Sequence, residues 1–427
     1  MKARFTDSYW FPLLVLMLGF ASYAWVLDNG FISDDLVILA QSEDFAFIPD
    51  HLYTAPLAFR LLAFAWFAVM QAAFGLEAVW FYVFSILLHC LNALLLRSVL
   101  VRRGADVQVA GLAALLFVII QNPSEAIGWL AAVNELLVGS FLLGVLWATH
   151  KSRYAMGLVL YLGALFSKEA GAVACLLLPL LLLTLPGGEG RKTPPRWFWM
   201  LLAFMTAGYV AWFVVLRETN FLIQSRFYGL KPTAVLVLLF SLHKIAFPWI
   251  YLALLVGFSG ARRSLHSREV VVAAGWTAIS LSPYMFLTYD THLPSRHLYL
   301  AAMPASYLIA QLVWPVGNRL RWGFVIAFAV ANIGYLWLVK EPQYVARGAT
   351  SRELIAILKS RPPGCVVVEK FPENPWIAKL SSRFVPGWSP QMILVNEGSH
   401  AADCLVVSWD SSLKNYTVIP STSTSKP

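Results

Sequence analysis

Charge is scarce in this sequence. Asp, Glu, Lys and Arg together make up 13% of its 427 residues, about half the share of a soluble domain. With hydrophobic residues at 59%, that scarcity excludes an ordinary soluble globular protein. The 14% aromatic content excludes intrinsic disorder as well, because disordered chains are aromatic-poor and charge-rich. Cysteine is also sparse: the four present are too few for a disulfide scaffold and show no metal-ligand spacing. The chain has no HExxH, GxSxG or phosphate-loop motif in a supporting context, and no repeat at solenoid periods. Acidic residues are the rarer sign, 23 against 32 basic, for a net charge of +9. The basic residues stand in short clusters between long apolar runs, which is how membrane proteins set their orientation rather than how nucleic acid is bound.

What is present is a series of apolar runs near the roughly 20 residues that a transmembrane helix needs. Eleven are legible, at about 10–27, 79–100, 107–121, 131–148, 155–167, 170–185, 197–215, 233–258, 270–287, 299–315 and 323–339. The first is too long for a signal-peptide core and reads as a retained span. With the N-terminus (Lys2, Arg4) in the cytoplasm, the cytoplasmic loops are all basic: Arg102-Arg103, Lys151 to Arg153, Arg191 to Arg196, Arg262 to Arg268 and Arg319 to Arg321. The opposite loops carry Asp28, Asp34, Asp35, Glu43, Asp44, Asp50, Glu125 and Glu135. This separation follows the positive-inside rule. It holds only if the apolar stretch 57–74, with Arg60 near its start, lies along the outer interface instead of crossing. The first outer loop then covers about 28–78.

After Lys340 the apolar runs shrink to strand length, at Cys365–Glu369, Gln391–Val395 and Cys404–Ser408, with helix-like segments at 351–360 and 374–383 between them. The expected organisation is a mainly α, polytopic membrane domain over 1–340, and a small extracytoplasmic α/β domain over 341–427 ending in a polar tail. Cys365 and Cys404 each open a Val-rich strand. If those strands are parallel neighbours the sulfurs come within bonding range; otherwise both are buried thiols. Cys90 and Cys175 lie in apolar runs as packing residues.

Several charged residues converge on the outer face. Asp34-Asp35 follows the first span, where paired carboxylates repel and hold a raised pKa or share a cation; the plain alternative is a solvated helix start. Lys168, in Ser167-Lys168-Glu169-Ala170-Gly171, sits between two apolar runs. A charge there marks a functional site, or it snorkels beside its own Glu. Glu135 stands at the outer mouth of the fourth span, and Arg296-His297 opens the tenth. His243-Lys244 lies within the eighth run, a cost that a shifted span start removes. His89 reads as a hydrogen-bonded packing residue. Carboxylates and cations together suit transfer from a lipid-phosphate donor, with general base and phosphate-stabilising charge on one surface.

The order and sidedness of these motifs resemble the GT-C superfamily of polyprenyl-phosphate-sugar-dependent glycosyltransferases, in its protein O-mannosyltransferase and aminoarabinose-transferase branches. The family's first outer loop opens with an acidic pair, here Asp34-Asp35. Its interfacial "PPL…W…FG" helix is similar to Ala55-Pro56-Leu57 through Trp66 to Phe74-Gly75, without the first Pro. The segment Ser295-Arg296-His297-Leu298-Tyr299-Leu300 is similar to an "ERYLYLPS" stretch, with His for the usual Tyr and Ala301-Ala302 for Pro-Ser. The resemblance covers about 10–340. It implies a GT-C-like bundle of about eleven spans and an inverting transferase that moves a sugar from a polyprenyl-phosphate donor to an extracytoplasmic acceptor hydroxyl, on protein or cell-envelope glycan. Asp34 and Asp35 are then the catalytic carboxylates, Asp34 as the base and Asp35 to orient it or, with Glu135, to bind acceptor or a cation; Lys168, Arg296 and Arg60 are the donor-phosphate ligands, Glu135 is an acceptor or cation site, and a divalent cation has room there. A bacterial inner membrane is the implied location. Two other readings stand beside it: a transporter or flippase of lipid-linked glycans, disfavoured by the absence of repeats, and a non-catalytic assembly factor on the same fold.

Overall fold

The computed structural model describes residues 9–43, 60–183, 193–216, 224, 229, 231–259, 267–287, 289, 292–396 and 404–419. Lys2 and Arg4, Asp44 and Asp50, Ala55-Pro56-Leu57, Arg191-Lys192, Arg262-Arg263 and the tail Ser421 to Pro427 lie outside the described residues.

The protein is mainly helical, with a small C-terminal mixed sheet. The helices run α1 (Trp10–Tyr23), α2 (Asp34–Glu43), α3 (Leu61–Phe74), α4 (Ala78–Arg103), α5 (Val107–Ile119), α6 (Ser124–Gly128), α7 (Val133–His150), α8 (Tyr154–Ser167) and α9 (Ala174–Leu183). They continue as α10 (Arg196–Val215), α11 (Ala234–Ala246), α12 (Trp249–Ser259), α13 (Ser267–Leu281), α14 (Tyr299–Val313), α15 (Asn318–Tyr335), α16 (Glu341–Lys359) and α17 (Pro375–Ser381). Within the described residues, each of the eleven apolar runs falls mainly on helix, as a bilayer requires of backbone that has no water to bond.

Length sorts them. Among the described residues five helical stretches are long and apolar enough to cross a membrane, namely Trp10–Asp28, Ala78–Arg103, Leu130–His150, Arg196–Val215 and Asn318–Lys359. The pair α11 and α12, bent by 62°, makes a sixth. The remaining apolar runs form shorter helices, so a count of eleven requires these to cross as short or bent segments. The 14-residue α3 spans about 21 Å at 1.5 Å per residue, well under the ~30 Å hydrocarbon core.

Two features of the interior depart from a simple loop-and-span picture. Arg103, counted above as a loop charge, is 2% exposed; it donates to the Leu181 carbonyl at 2.7 Å and pairs with Glu269 at 3.3 Å. The change in composition at Lys340 does not coincide with a break in the chain. A π turn over Leu336–Lys340 carries α15 directly into α16, so one 42-residue helical rod joins the bundle to the sheet. His89 bridges helices, as its sequence context suggests: its ring nitrogens lie 2.9 Å from the Tyr299 hydroxyl and 3.2 Å from the Val118 carbonyl.

The sheet has four strands, β1 (Val366–Glu369), β2 (Ile393–Val395), β3 (Leu405–Asp410) and β4 (Asn415–Ile419), in the order β2-β1-β3-β4. The central β1 pairs in parallel with β2 and β3, while β4 returns antiparallel to β3. Because Val366 sits opposite Leu405, the preceding Cys365 and Cys404 face each other. They form a disulfide with a Cα separation of 4.6 Å. The strand β4 had escaped the sequence reading; it is an edge strand that buries only Tyr416.

The C-terminal sheet segment is tied to α2 and the turn before it. Glu373 accepts from Ser33 Oγ at 2.7 Å and from Thr350 Oγ1 at 2.5 Å. Arg383 pairs with Glu43, and Phe384 packs on Phe31 with ring centroids 5.5 Å apart.

Candidate active site

A cavity of about 270 Å³ opens between α2 and the loops that lead into α7, α9 and α14. Asp34, Arg60, Lys168 and Arg296 all line it. Each of the four comes from a different part of the chain.

Asp34 reaches it from the first turn of α2. The residue before it, Ser33, holds a left-handed backbone with φ +50°, unusual for a residue with a Cβ. The Glu373 hydrogen bond fastens that turn from the sheet domain. Asp34 presents an exposed carboxylate to the cavity. Burial by the walls raises its pKa above the usual carboxylate range, opposed by Arg347 and Arg296.

Asp35, next in sequence, points the other way. It is fully buried, and its two oxygens accept from the Ile32 N–H at 2.8 Å and the Ala131 N–H at 2.6 Å. Burial pushes its carboxyl up to about 7 against the pull of those two donors. Both oxygens are engaged in holding the head of α2 to the segment before α7. Adjacent residues on a helix are about 100° apart, so only one of the pair can face the cavity.

Lys168 is delivered by a tight return of the chain. The turn Glu169–Val173 folds back on α8, and Gly171 packs there so closely that a Cβ would overlap the Ala164 carbonyl. This fixes Lys168 inward, 2% exposed. Its ammonium pairs with Glu135, lies 3.3 Å from His297 Nδ1, and sits 4.8 Å from the centroid of the Tyr284 ring. Glu135 lies behind the cavity wall with no exposure. It also meets His297 Nδ1 at 2.8 Å and accepts from the Tyr284 hydroxyl at 2.8 Å. Its oxygens are thus occupied by the protein's own groups. His297 Nδ1 must carry its hydrogen to bond the Glu135 carboxylate and cannot also accept from Lys168; of the three N–H donors of an ammonium, Lys168 therefore uses one on Glu135 and keeps two.

Arg296 forms the opposite wall. It pairs with Glu125 at 2.5 Å and lies 4.9 Å from the Trp129 centroid. Arg347 of α16 shares the same carboxylate at 3.5 Å and the same ring at 4.2 Å. Burial works to raise the pKa of Glu125, but Arg296 and Arg347 outweigh it and hold it below the ordinary range. Arg60 pairs with Glu169 at 3.7 Å across the mouth. Two guanidiniums share one glutamate, so the excess positive charge is directed toward Asp34. Among the described residues no three His, Cys, Asp or Glu side chains converge as a metal site.

Asp34, Arg60, Lys168 and Arg296, all expected from the sequence, meet here. Asp35 and Glu135, expected with them, stand outside the cavity lining as buried partners. Arg347 and Glu373 carry no signal in the sequence. Both lie in the C-terminal segment, where nothing local distinguishes them from surface charges.

No family model and no curated protein matches the chain. A solved structure that it resembles is an oligosaccharyltransferase of Archaeoglobus fulgidus tethered with an acceptor peptide through a disulfide. The likeness has 13% identity and a TM-score of 0.46, covering 85% of this chain and 62% of that one. The chain therefore spans less than two thirds of that protein's length, and a likeness this weak carries no argument about activity.

Proposed function

We propose that this protein is an inverting GT-C-type membrane glycosyltransferase, moving a sugar from a polyprenyl-phosphate donor to a hydroxyl of an extracytoplasmic protein or cell-envelope glycan. The observation that carries the reading is the convergence of one accessible carboxylate, Asp34, with Arg60, Lys168 and Arg296 on one cavity. In this mechanism Asp34 takes the proton of the acceptor hydroxyl as its oxygen attacks the anomeric carbon. The bond from that carbon to the phosphate oxygen breaks, and the electron pair stays on the phosphate. Arg296 and the two remaining Lys168 N–H donors stabilise the charge that grows there, and Arg60 holds the phosphate at the mouth. A carboxylate held above its usual pKa is a stronger base once ionised. Asp35 sets the head of α2, and Glu135 acts from behind Lys168 as its counter-ion and orienter, in place of an acceptor contact.

The same reading places the N-terminus in the cytoplasm of a bacterial inner membrane, with residues 341–427 as an extracytoplasmic domain. The Cys365–Cys404 disulfide supports that side, since disulfides persist in oxidising compartments. Donor turnover by purified protein given a polyprenyl-phosphate sugar tests the function against a flippase or an assembly factor. Asp34→Asn should lose roughly 10²–10⁴-fold in turnover while retaining donor. Lys168→Ala should weaken donor binding, because its contact exists in the ground state as well as the transition state. Near-normal turnover in Asp34→Asn removes that residue from the mechanism.

A further inference from the structure

A second and larger cavity, of about 730 Å³, lies on the other side of the Arg296 segment. Lys244, Lys340 and His292 line it together with Ser295, Phe240 and Phe247. Its lining follows the bend between α11 and α12, taking in Phe240, His243, Lys244, Phe247 and Pro248. There α11 ends at Ala246, and the Lys244 backbone carbonyl accepts from Asn122 Nδ2 at 2.7 Å. That bond brings Lys244 beside the loop that leads to Arg296.

The partners of the two lysines are neutral. Lys244 Nζ donates to the Leu293 carbonyl at 3.1 Å, and Lys340 Nζ to Gln343 Oε1 at 3.1 Å. Among the described residues neither forms an ion pair. The acid whose charge reaches both lysines, Glu125, is already paired with Arg296 and Arg347, so the cavity keeps an excess of positive charge that favours an anionic occupant. The lining also includes Phe240 and Phe247, whose side chains are 52% and 58% exposed on the bundle surface. A water-soluble anion gains nothing from such a mouth. An amphiphile does, with its head on the lysines and its chains passing the phenylalanines.

We propose that this cavity binds the phosphate headgroup of an anionic membrane lipid, as a site separate from the Asp34 cavity. It adjoins the catalytic wall through Ser295, which lines it and donates to the Asn122 carbonyl at 2.5 Å, one residue before Arg296. The site stands on its own geometry, whether or not the transferase reading holds.

The test uses the full chain purified in a neutral detergent and titrated by native mass spectrometry. The probes are phosphatidylglycerol, diacylglycerol as the same lipid without phosphate, and inorganic phosphate as the free anion. Phosphatidylglycerol should be retained one per chain and diacylglycerol should not. The double variant K244Q/K340Q should weaken retention roughly thirtyfold, the loss of two lysine contacts to an anionic lipid. Lys168→Ala should leave it unchanged, which separates this site from the donor cavity. If the double variant fails to fold, K340Q alone at the helix junction should still weaken retention, and K244R/K340R should preserve it. Equal retention of diacylglycerol, unchanged retention in K340Q or K244Q/K340Q, or displacement by equimolar inorganic phosphate would each overturn the proposal.

Discussion

Replacing Glu135 with Gln should destabilise the protein more than replacing Glu135 and Lys168 together with apolar residues of similar size. Glu135 has no solvent exposure and meets three groups, Lys168, His297 and Tyr284. Glutamine keeps the shape but removes the charge and turns an N–H₂ toward one set of donors. Lys168, itself 2% exposed, is then a buried cation without a counter-ion. Breaking a buried pair in this way costs about 3–5 kcal/mol, whereas exchanging both partners for apolar residues is often neutral or stabilising. The comparison needs five proteins: parent, Glu135→Gln, Glu135→Leu, Lys168→Met and Glu135→Leu/Lys168→Met, the last three closing a double-mutant cycle with the parent. Their unfolding is followed in detergent micelles by heat or by added SDS. The double variant should recover most of what each single change loses, while donor binding stays lost wherever Lys168 is absent. If Glu135→Gln costs under about 1 kcal/mol, or the single effects simply add, the two residues are not the coupled buried pair that this reasoning requires.

The other expectations concern the sheet domain and the titration of Asp34. Glu373→Ala releases the turn at Ser33 and should lower turnover with little change in donor affinity; an equal loss in both means that Glu373 supports the fold generally. Labelling of unreduced, denatured protein should reach Cys90 and Cys175 only, with Cys365 and Cys404 reacting after reduction. The bridge joins positions 39 apart, so its loss should cost about 4 kcal/mol by loop entropy, read as a lower melting temperature in C365S/C404S. Asp34 must be ionised to accept a proton, so turnover should fall as pH drops through its raised pKa. Arg347 opposes that rise, and Arg347→Gln should therefore move the acid limb of the pH profile toward neutral; a limb that stays put or moves down excludes Asp34 as its source.

Much of the frame is written in contiguous residues. Hydropathy is a property of contiguous residues, so the apolar runs announce their helices without reference to the rest of the chain. The Val-rich run at Cys365–Glu369 likewise announces a central strand, because a strand buried on both faces is apolar at every position. The one-sided loop charges sufficed to gather Asp34, Arg60, Lys168 and Arg296 at one expected membrane face. Other features depend on partners far away in the chain and emerge only on folding. Local composition does not separate Asp34 from Asp35, which the sequence ranks only through the family resemblance; in the fold one faces a cavity and the other is taken up by the Ile32 and Ala131 amides. Glu135 reads as an open acid until Lys168, His297 and Tyr284 close around it. Arg347 and Glu373 reach the site through a rod and a sheet that bring the C-terminal segment back to the head of α2. Local pattern fixes which segments are helix or strand, but a side chain's charge becomes available or is neutralised only through long-range packing.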